Sequence, residues 1–394
     1  MTTNQKKIEI KLLEIFTDSN AVISAVVVFL GFLVATILLL VIGRDPYGMY
    51  EAMLQVVSGF DSRRGTWNVR YVAEWLVVSM PLILCGMSMG FSARSGLFNI
   101  GAEGQYIAGL TAAQLIAVSF AQSSGVSFLH LITAVLAAIF AGAVWGGISG
   151  FFKARYKVSE VVTTIMMNYI ALFLHRLITL RVPGSTTYRT PEFAVTATLS
   201  NPALASLTNN SRLNDGIWFT IAAILIYWLI MEKTTFGYSL RAAGLSKDAA
   251  HYAGIRVKTN ITIAMSVSGA FAGLAGAVVS LGSFSYGRIL TSFENYGFDG
   301  IAVALGGSCT AVGITIIGLL FGMLKSAQPL MQSRQIPREI TSIIMGLVVV
   351  FMSLRPGIQM FAQWRRKQKT HSLQRNLPRK EDDNNKEETQ GDGS

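Results

Sequence analysis

Three polar side chains lie close together in the stretch GLFNIGAEGQYIAG, residues 96–109, which is otherwise part of an apolar segment. Asn99, Glu103 and Gln105 supply hydrogen-bond donors and acceptors that fit either a polar cargo or a neighbouring helix. A carboxylate at the centre of a bilayer costs about 3 kcal/mol, so such a group usually faces a cavity or a partner. Two interpretations stay open: Glu103 lines a polar path, or it bonds an adjacent helix and fixes the packing.

Two further stretches place polar groups in apolar surroundings. In YGFDGIAVALGG, residues 296–307, Asp299 lies between glycines at the start of a short apolar run, where its charge also favours a helix N-terminus. In SEVVTTIMMNYIALFL, Thr164 and Asn168 are four residues apart and share one helix face. Helix capping by Asp299 and a helix contact by Asn168 are the alternatives to path lining. With two aromatic neighbours, the path candidates are Phe98, Asn99, Glu103, Gln105, Tyr106, Thr164, Asn168 and Asp299.

The elements that must position these residues are membrane-spanning helices. The chain of 394 residues is 51% hydrophobic and 14% charged, and its first apolar run, 21–42, is long enough to cross a bilayer. Hydropathy predicts an all-α polytopic membrane protein with about ten spans. The third predicted span contains the first motif and the eighth is short, so both are expected to be broken or re-entrant. The predicted spans are 21–42, 72–92, 97–120, 128–150, 160–180, 216–232, 259–283, 298–310, 312–332 and 340–358.

The net charge of +11 is carried mainly by short segments between spans and by the C-terminal region. This distribution follows the positive-inside rule with both termini cytoplasmic, and it argues against nucleic-acid binding. We therefore expect a cytoplasmic N-terminal segment over 1–20, a membrane domain over 21–360, and a cytoplasmic disordered tail over 361–394. No Walker-type phosphate-binding loop occurs in the sequence. The four histidines have no metal-ligand spacing, so we expect no metal site.

Glycines at four-residue spacing predict close helix packing. Gly142, Gly146 and Gly150 form one such row, and Gly269 with Gly273 forms another. Small residues allow helix backbones to approach closely within a membrane. We expect these rows to be architectural.

The longest loop expected on the cytoplasmic side, about 233–258, has its own short-helix signals. Ser246 is placed to cap a helix over residues 247–253 that Gly254 ends. Gly237 and Gly244 are expected to separate this helix from a preceding short segment, YSLRAA (238–243). The loop fits either a docking element for a soluble partner or a helix resting on lipid.

Four motifs in this order resemble the membrane permease subunits of bacterial ABC importers related to the branched-chain amino acid and ribose permeases, and most of all the nucleoside permeases. The similarity covers most of residues 21–358. The motifs are ARSGLFNIGAEGQYIAG (93–109), SEVVTTIMMNYIAL (159–172), FGYSLRAAGLSKDAAHYAGI (236–255) and GFDGIAVALGG (297–307).

The resemblance implies a type II ABC-importer-like permease fold and a transport subunit that is not itself an enzyme. Expected partners are two cytoplasmic ATPase domains or subunits, a second and different permease chain, and an extracellular or periplasmic substrate-binding (lipo)protein. The chain would bind no cofactor, since ATP and Mg would be held by the ATPase subunits, and it would lie in the bacterial cell (inner) membrane. The resemblance assigns the 233–258 loop to ATPase coupling, with Gly237, Arg241, Ala242, Gly244, Asp248, Ala249 and Gly254 as its core.

Nucleosides are the cargo that the resemblance favours, on the EGQ (103–105) and VTTIMMNYIA (162–171) forms of two motifs. The path candidates could supply the amides, carboxylates and aromatic surfaces that such a cargo needs. One alternative is an importer of the same family that carries a simple sugar such as ribose. Another is a proton-coupled secondary transporter that uses Glu103 or Asp299 as its proton site.

Overall fold

Helices account for most of the chain, as the apolar runs predict. A computed structural model describes residues 20–119, 127–353, 360 and 364. Val28–Met352 forms one compact unit; of the other unit, 1–27 with 353–394, residues 20–27, 353, 360 and 364 are described. The predicted N-terminal segment and C-terminal tail therefore lie almost entirely outside the described residues.

The helices in chain order are α1 Asn20–Val41, α2 Tyr47–Ser58, α3 Arg70–Arg94, α4 Ala102–Ser119, α5 Ser127–Tyr156, α6 Glu160–Thr179, α7 Pro202–Leu207, α8 Gly216–Trp228, α9 Thr235–Leu245, α10 Lys247–Tyr252, α11 Val257–Ser283, α12 Tyr296–Gly306, α13 Ala311–Ser333 and α14 Glu339–Ser353. A π-helical turn, Leu229–Lys233, continues α8, and a 3-10 turn covers Val195–Ala197.

In the part of the chain that the structure describes, four short strands form two antiparallel pairs. Strands β1 (Phe60–Asp61) and β2 (Thr66–Trp67) make a hairpin before α3. Strands β3 (Arg189–Glu192) and β4 (Tyr286–Arg288) pair the segment after α6 with the segment after α11. The second pair ties together two connections that are far apart in sequence.

Within the described residues the predicted spans are confirmed as helices, except that 97–101 of the third span and 307–310 of the eighth span are not helical; residues 354–358 of the last span lie outside the described residues. Residues 97–101 of the third predicted span are not helical, because Gly96 has a φ of +72° and the Asn99 side chain accepts the N–H of Gly101 instead. The eighth span is short as predicted, since α12 has 11 residues. Helix α2 was not foreseen. Among the described residues, six stretches are long and apolar enough to cross a membrane: 70–94, 129–156, 160–179, 216–233, 257–283 and 311–333.

The predicted glycine rows lie where α5, α11 and α4 pack together. A Cβ atom on Gly142 would lie 2.3 Å from the carbonyl oxygen of Gly269, and one on Gly109 would lie 2.4 Å from the Cα of Gly273. These distances leave no room for a side chain, so the backbones are in direct contact. Helix α3 also packs against α11, α12 and α13.

The 233–258 loop folds into α9 and α10, each with a side-chain cap. Thr234 accepts the N–H of Gly237 at the start of α9, and Ser246 accepts the N–H of Ala249 at the start of α10. The prediction of a capped helix ending before Gly254 is confirmed. The two helices are separate, as expected, but the break falls at Ser246. The expectation that Gly237 and Gly244 make this break is wrong, because both lie inside α9 and serve close packing instead.

Candidate functional site

Glu103 lies at a buried point where the first turns of α4 and α12 meet. One carboxylate oxygen, Oε1, accepts the backbone N–H groups of Glu294 and Asn295 at 2.9 Å each, and Oε2 accepts that of Gly297 at 2.6 Å. These donors begin α12, whose N-cap residue Asn295 makes no side-chain cap bond of its own. The carboxylate of one helix therefore caps and neutralises the N-terminus of another.

The side chains of Asn99 and Gln105 pair through both amide groups. Asn99 Nδ2 donates to Gln105 Oε1 at 2.9 Å, and Gln105 Nε2 donates to Asn99 Oδ1 at 3.2 Å. Asn99 Nδ2 also donates to Ser268 Oγ on α11 at 2.7 Å, and Ser268 Oγ donates to the carbonyl of Ser88 on α3 at 2.6 Å. All four residues are buried, so this network joins α3, α4 and α11 without exposing its polar atoms.

Thr164 and Asn168 lie on one face of α6, as their spacing predicts, and that face contacts the start of α4. Asn168 accepts the N–H of Gly104 at 2.8 Å and donates to the carbonyl of Ile100 at 3.1 Å. The Thr164 hydroxyl donates within its own helix, and its Cβ lies 2.9 Å from where a Cβ on Gly101 would lie. These two residues hold the start of α4 in place.

The side chain of Glu294 joins the α12 start to the β4 strand. It accepts a hydrogen bond from the Tyr106 hydroxyl at 2.5 Å. It also forms a bidentate salt bridge with the Arg288 guanidinium, in which Nη2 lies 3.0 Å from Oε2. Burial alone would lower the pKa of Arg288, but Tyr106 and Glu294 outweigh it and raise the pKa above its ordinary value. This guanidinium is therefore held charged.

A cleft of about 660 Å³ lies between α12, α13 and α14. Its charged groups include Asp299 and Lys325, which form an ion pair, and the Lys325 ammonium lies 5.0 Å from the ring centroid of Tyr296. The Phe298 ring packs edge-on against Phe293, with centroids 5.7 Å apart. The lining residues are Glu294, Asn295, Phe298, Asp299, Ile301, Ala302, Phe321, Lys325, Gln328, Ser342, Met345 and Gly346.

A second cavity of about 370 Å³ lies beside the β3–β4 pair. It shares Glu294 with the cleft, so the Glu294–Arg288 contact borders both spaces. The other lining residues are Tyr188, Arg189, Tyr286, Arg288, Ile289, Leu290, Thr291 and Ser292.

The eight path candidates occupy three kinds of position. Asp299 lines the cleft, and Phe98 is 38% exposed in the link between α3 and α4. The other six are buried, with hydrogen bonds to protein partners: Asn99, Glu103, Gln105, Tyr106, Thr164 and Asn168. A role for any of them in a path stays a prediction.

The structure places at this centre four residues that were not among the path candidates: Glu294, Phe298, Lys325 and Gln328. Lys325 carried a signal, since it is a charge within an apolar run. The contact between Glu103 and Glu294 gave no signal in the sequence, because it joins residues 191 positions apart and follows no local spacing.

The candidate coupling residues cluster on α9, α10 and the turn that follows. Arg241 Nη1 donates to Glu232 Oε2 at 2.8 Å, and Gly237 and Gly244 lie against neighbouring backbone. Ala242 is half-buried, while Asp248 and Ala249 are exposed at the start of α10. Gly254 has a φ of +79° with open space around it. Large apolar side chains point outward beside them: Leu245 is 90% exposed and Tyr252 is 92% exposed.

A family model described as a branched-chain amino acid transport system permease component matches residues 71–353. The guanosine ABC transporter permease protein NupP of Bacillus subtilis is 38% identical over 85% of this chain and 93% of its own length. The nucleoside ABC transporter permease protein NupB of Lactococcus lactis is 34% identical over 85% of this chain and 91% of its own length. The glucose ABC transporter permease protein TsgB13 of Haloferax volcanii is 32% identical over 81% of this chain and 83% of its own length.

Proposed function

Because this chain belongs to the family of branched-chain amino acid transport system permease components, we propose that it forms the translocation path of an ABC importer for nucleosides. The family consists of multi-pass membrane permease subunits that associate with ATPase and substrate-binding partners. The chain is therefore a transport subunit, and ATP hydrolysis takes place in separate subunits.

The cleft between α12, α13 and α14 is the observation that carries the cargo proposal. A nucleoside offers a flat base that stacks on aromatic rings and hydroxyl and amide edges that form hydrogen bonds. The cleft presents the Phe298 ring beside the Asp299–Lys325 pair and the Gln328 amide. Polar groups that converge beside apolar and aromatic side chains are typical of small-molecule sites. We assign to Asp299 direct contact with the path and to the six buried candidates the fixing of its wall.

The arrangement in the membrane follows from the same proposal. Both termini and the α9–α10 segment face the cytoplasm of a bacterial cell, where two ATPase subunits bind, and ATP and Mg stay on those subunits. The β3–β4 pair faces the substrate-binding protein outside. A second, different permease chain completes the path across the cleft.

Uptake measurements with competing cargoes test the substrate. We expect labelled guanosine to be taken up, to be displaced by excess adenosine, and to be unaffected by equal excesses of ribose or glucose. If only ribose or glucose competed with the label, the cargo would be a sugar and the nucleoside proposal would be wrong. The similarity to TsgB13, a glucose permease, is the reason to include this test. Uptake that survives deletion of the ATPase but stops with a protonophore would favour a proton-coupled transporter.

The Asp299–Lys325 pair tests the cleft itself. Removing one partner leaves the other charge unpaired, so Lys325→Met is expected to lower both assembly and guanosine uptake at least about tenfold. The double variant Asp299→Asn with Lys325→Met is expected to regain assembly, because no lone charge remains, but not uptake. The exposed pair Arg338–Glu339 supplies the control, Glu339→Gln, which should leave both unchanged. Normal uptake by the assembled double variant would remove the pair from the path.

A further inference from the structure

Glu232 is held by two arginines from different parts of the chain. It lies in the π-helical turn after α8, where its Oε2 accepts Arg241 Nη1 of α9 at 2.8 Å. Its Oε1 is in contact with Nη1 of Arg94, the last residue of α3. The three side chains are 19% to 35% exposed, so water screens these contacts less than it would a pair on the open surface. One carboxylate thus connects α9 to α3.

The junction between the π-helical turn and α9 is tightly packed, so we expect Glu232 and α9 to move together. The Thr234 hydroxyl donates to the carbonyl of Ile230 at 2.7 Å and accepts the N–H of Gly237 at 3.0 Å. A Cβ on Gly237 would lie 2.0 Å from that same carbonyl oxygen. A movement of α9 therefore carries Glu232 with it.

Helix α9 also rests directly on the link between α3 and α4. Gly96 in this link has a φ of +72°, and a Cβ there would lie 2.7 Å from the Cα of Gly244. A Cβ on Gly244 would in turn lie 2.6 Å from the carbonyl oxygen of Arg94. The ion contacts and the glycine contact join the same two segments.

From this link, direct contacts continue to the cleft. The link contains Asn99, which is fixed by Gln105 and Ser268, and it leads into Glu103. The Glu103 carboxylate holds the start of α12, and α12 lines the cleft. Each step is a hydrogen bond, an ion contact or a covalent connection.

We propose that Glu232 is a positioning residue that passes a displacement of α9 and α10 to the α3–α4 link and thereby to the start of α12. This rests on the proposed function, in which ATPase subunits move α9 and α10. Arg241 then acts within the chain through Glu232. A merely structural Glu232 would stabilise the junction without affecting how the cleft responds to ATP.

The test measures the cleft response directly and needs no cargo. A reporter variant carries Ser342→Cys at the cleft in a background with Cys85→Ala and Cys309→Ala. The assembled complex in proteoliposomes is labelled with a water-soluble thiol reagent, with and without ATP and vanadate. We expect ATP to change the labelling rate, and Glu232→Gln to shrink that change at least about fivefold while basal ATPase activity remains. Arg94→Gln should have the same effect.

Two controls separate positioning from stability. Glu51 is another partly buried carboxylate between two arginines, Arg334 and Arg63, and Glu51→Gln should leave the ATP-dependent labelling change as in the unmodified reporter. The double variant Glu232→Gln with Arg94→Gln should lose no more than Glu232→Gln alone, because both changes break the Glu232–Arg94 contact. If Glu232→Gln does not assemble, Arg94→Gln alone decides the matter.

The proposal is overturned if Glu232→Gln, or Arg94→Gln in its place, keeps the full labelling change. It is also overturned if Glu51→Gln reduces the change equally. Failure of the nucleoside proposal has a different signature: the unmodified complex responds to ATP in the labelling assay but takes up no guanosine.

Discussion

At the scale of single residues, Glu103 explains how a carboxylate is tolerated inside an apolar run. Both of its oxygens are occupied by three backbone N–H groups, and those groups form the positive end of α12. Of the two interpretations that the sequence left open, the observed contacts favour the one in which Glu103 fixes helix packing. The residue type and its burial could be predicted from the sequence, whereas its partner could not.

The variant Glu103→Gln tests this role. Its amide NH2 would face a backbone N–H donor, so we expect the free energy of unfolding in detergent to fall by about 3 kcal/mol. The exposed Glu192→Gln is the matched control and should change it by less than about 0.5 kcal/mol. Unchanged stability together with lost uptake would show instead that the carboxylate acts on the cargo.

At the scale of elements, glycine spacing predicted which helices approach closely, because backbone contact needs small residues on one face. The rows on α5 and α11 meet as expected. The same reasoning failed for Gly237 and Gly244, since a glycine that allows close contact and one that ends a helix look alike in sequence. Only the three-dimensional neighbours distinguish them: for Gly237 the carbonyl of Ile230, and for Gly244 the link at Gly96.

Two adjacent glycines of α5 provide a matched test of this packing. A Cβ on Gly146 would lie 2.3 Å from the backbone carbonyl of Met265, which cannot move aside cheaply. A Cβ on Gly147 would meet only the Ser266 hydroxyl, at 2.5 Å, and that side chain can rotate. We expect Gly146→Ala to lower the thermal midpoint by several degrees and Gly147→Ala to leave it unchanged or raised, because alanine favours a helix by about 1 kcal/mol over glycine. Equal midpoints for the two variants would contradict the close contact.

At the scale of the whole molecule, the family and most helices follow from four motifs and from hydropathy. The cleft does not, because it forms between α12, α13 and α14, whose polar and apolar lining residues have no shared spacing. The β3–β4 pair is equally hidden, since two short strands nearly a hundred residues apart leave no periodic signal. Contacts between segments far apart in the chain could therefore not be predicted from the sequence.

Association with the ATPase subunits is tested at the outward-pointing apolar side chains of α9 and α10. We expect Leu245→Glu with Tyr252→Glu to reduce the ATPase subunit that co-purifies by at least about tenfold, because both side chains are well placed to be buried by a partner. The control is Leu207→Glu, a similarly exposed leucine on α7, at 75% exposure, which should have no effect. Undiminished co-purification with the double variant would place the ATPase contact elsewhere.

The contact between Glu103 and the start of α12 also sets a condition on how the chain is made. Its donors are synthesised 191 residues after the carboxylate, which at 5–20 residues per second is a delay of roughly 10–40 s. During that interval α4 has emerged from the ribosome with an acid whose partners do not yet exist. The capping contact of an early helix is therefore completed only after a late helix has been made.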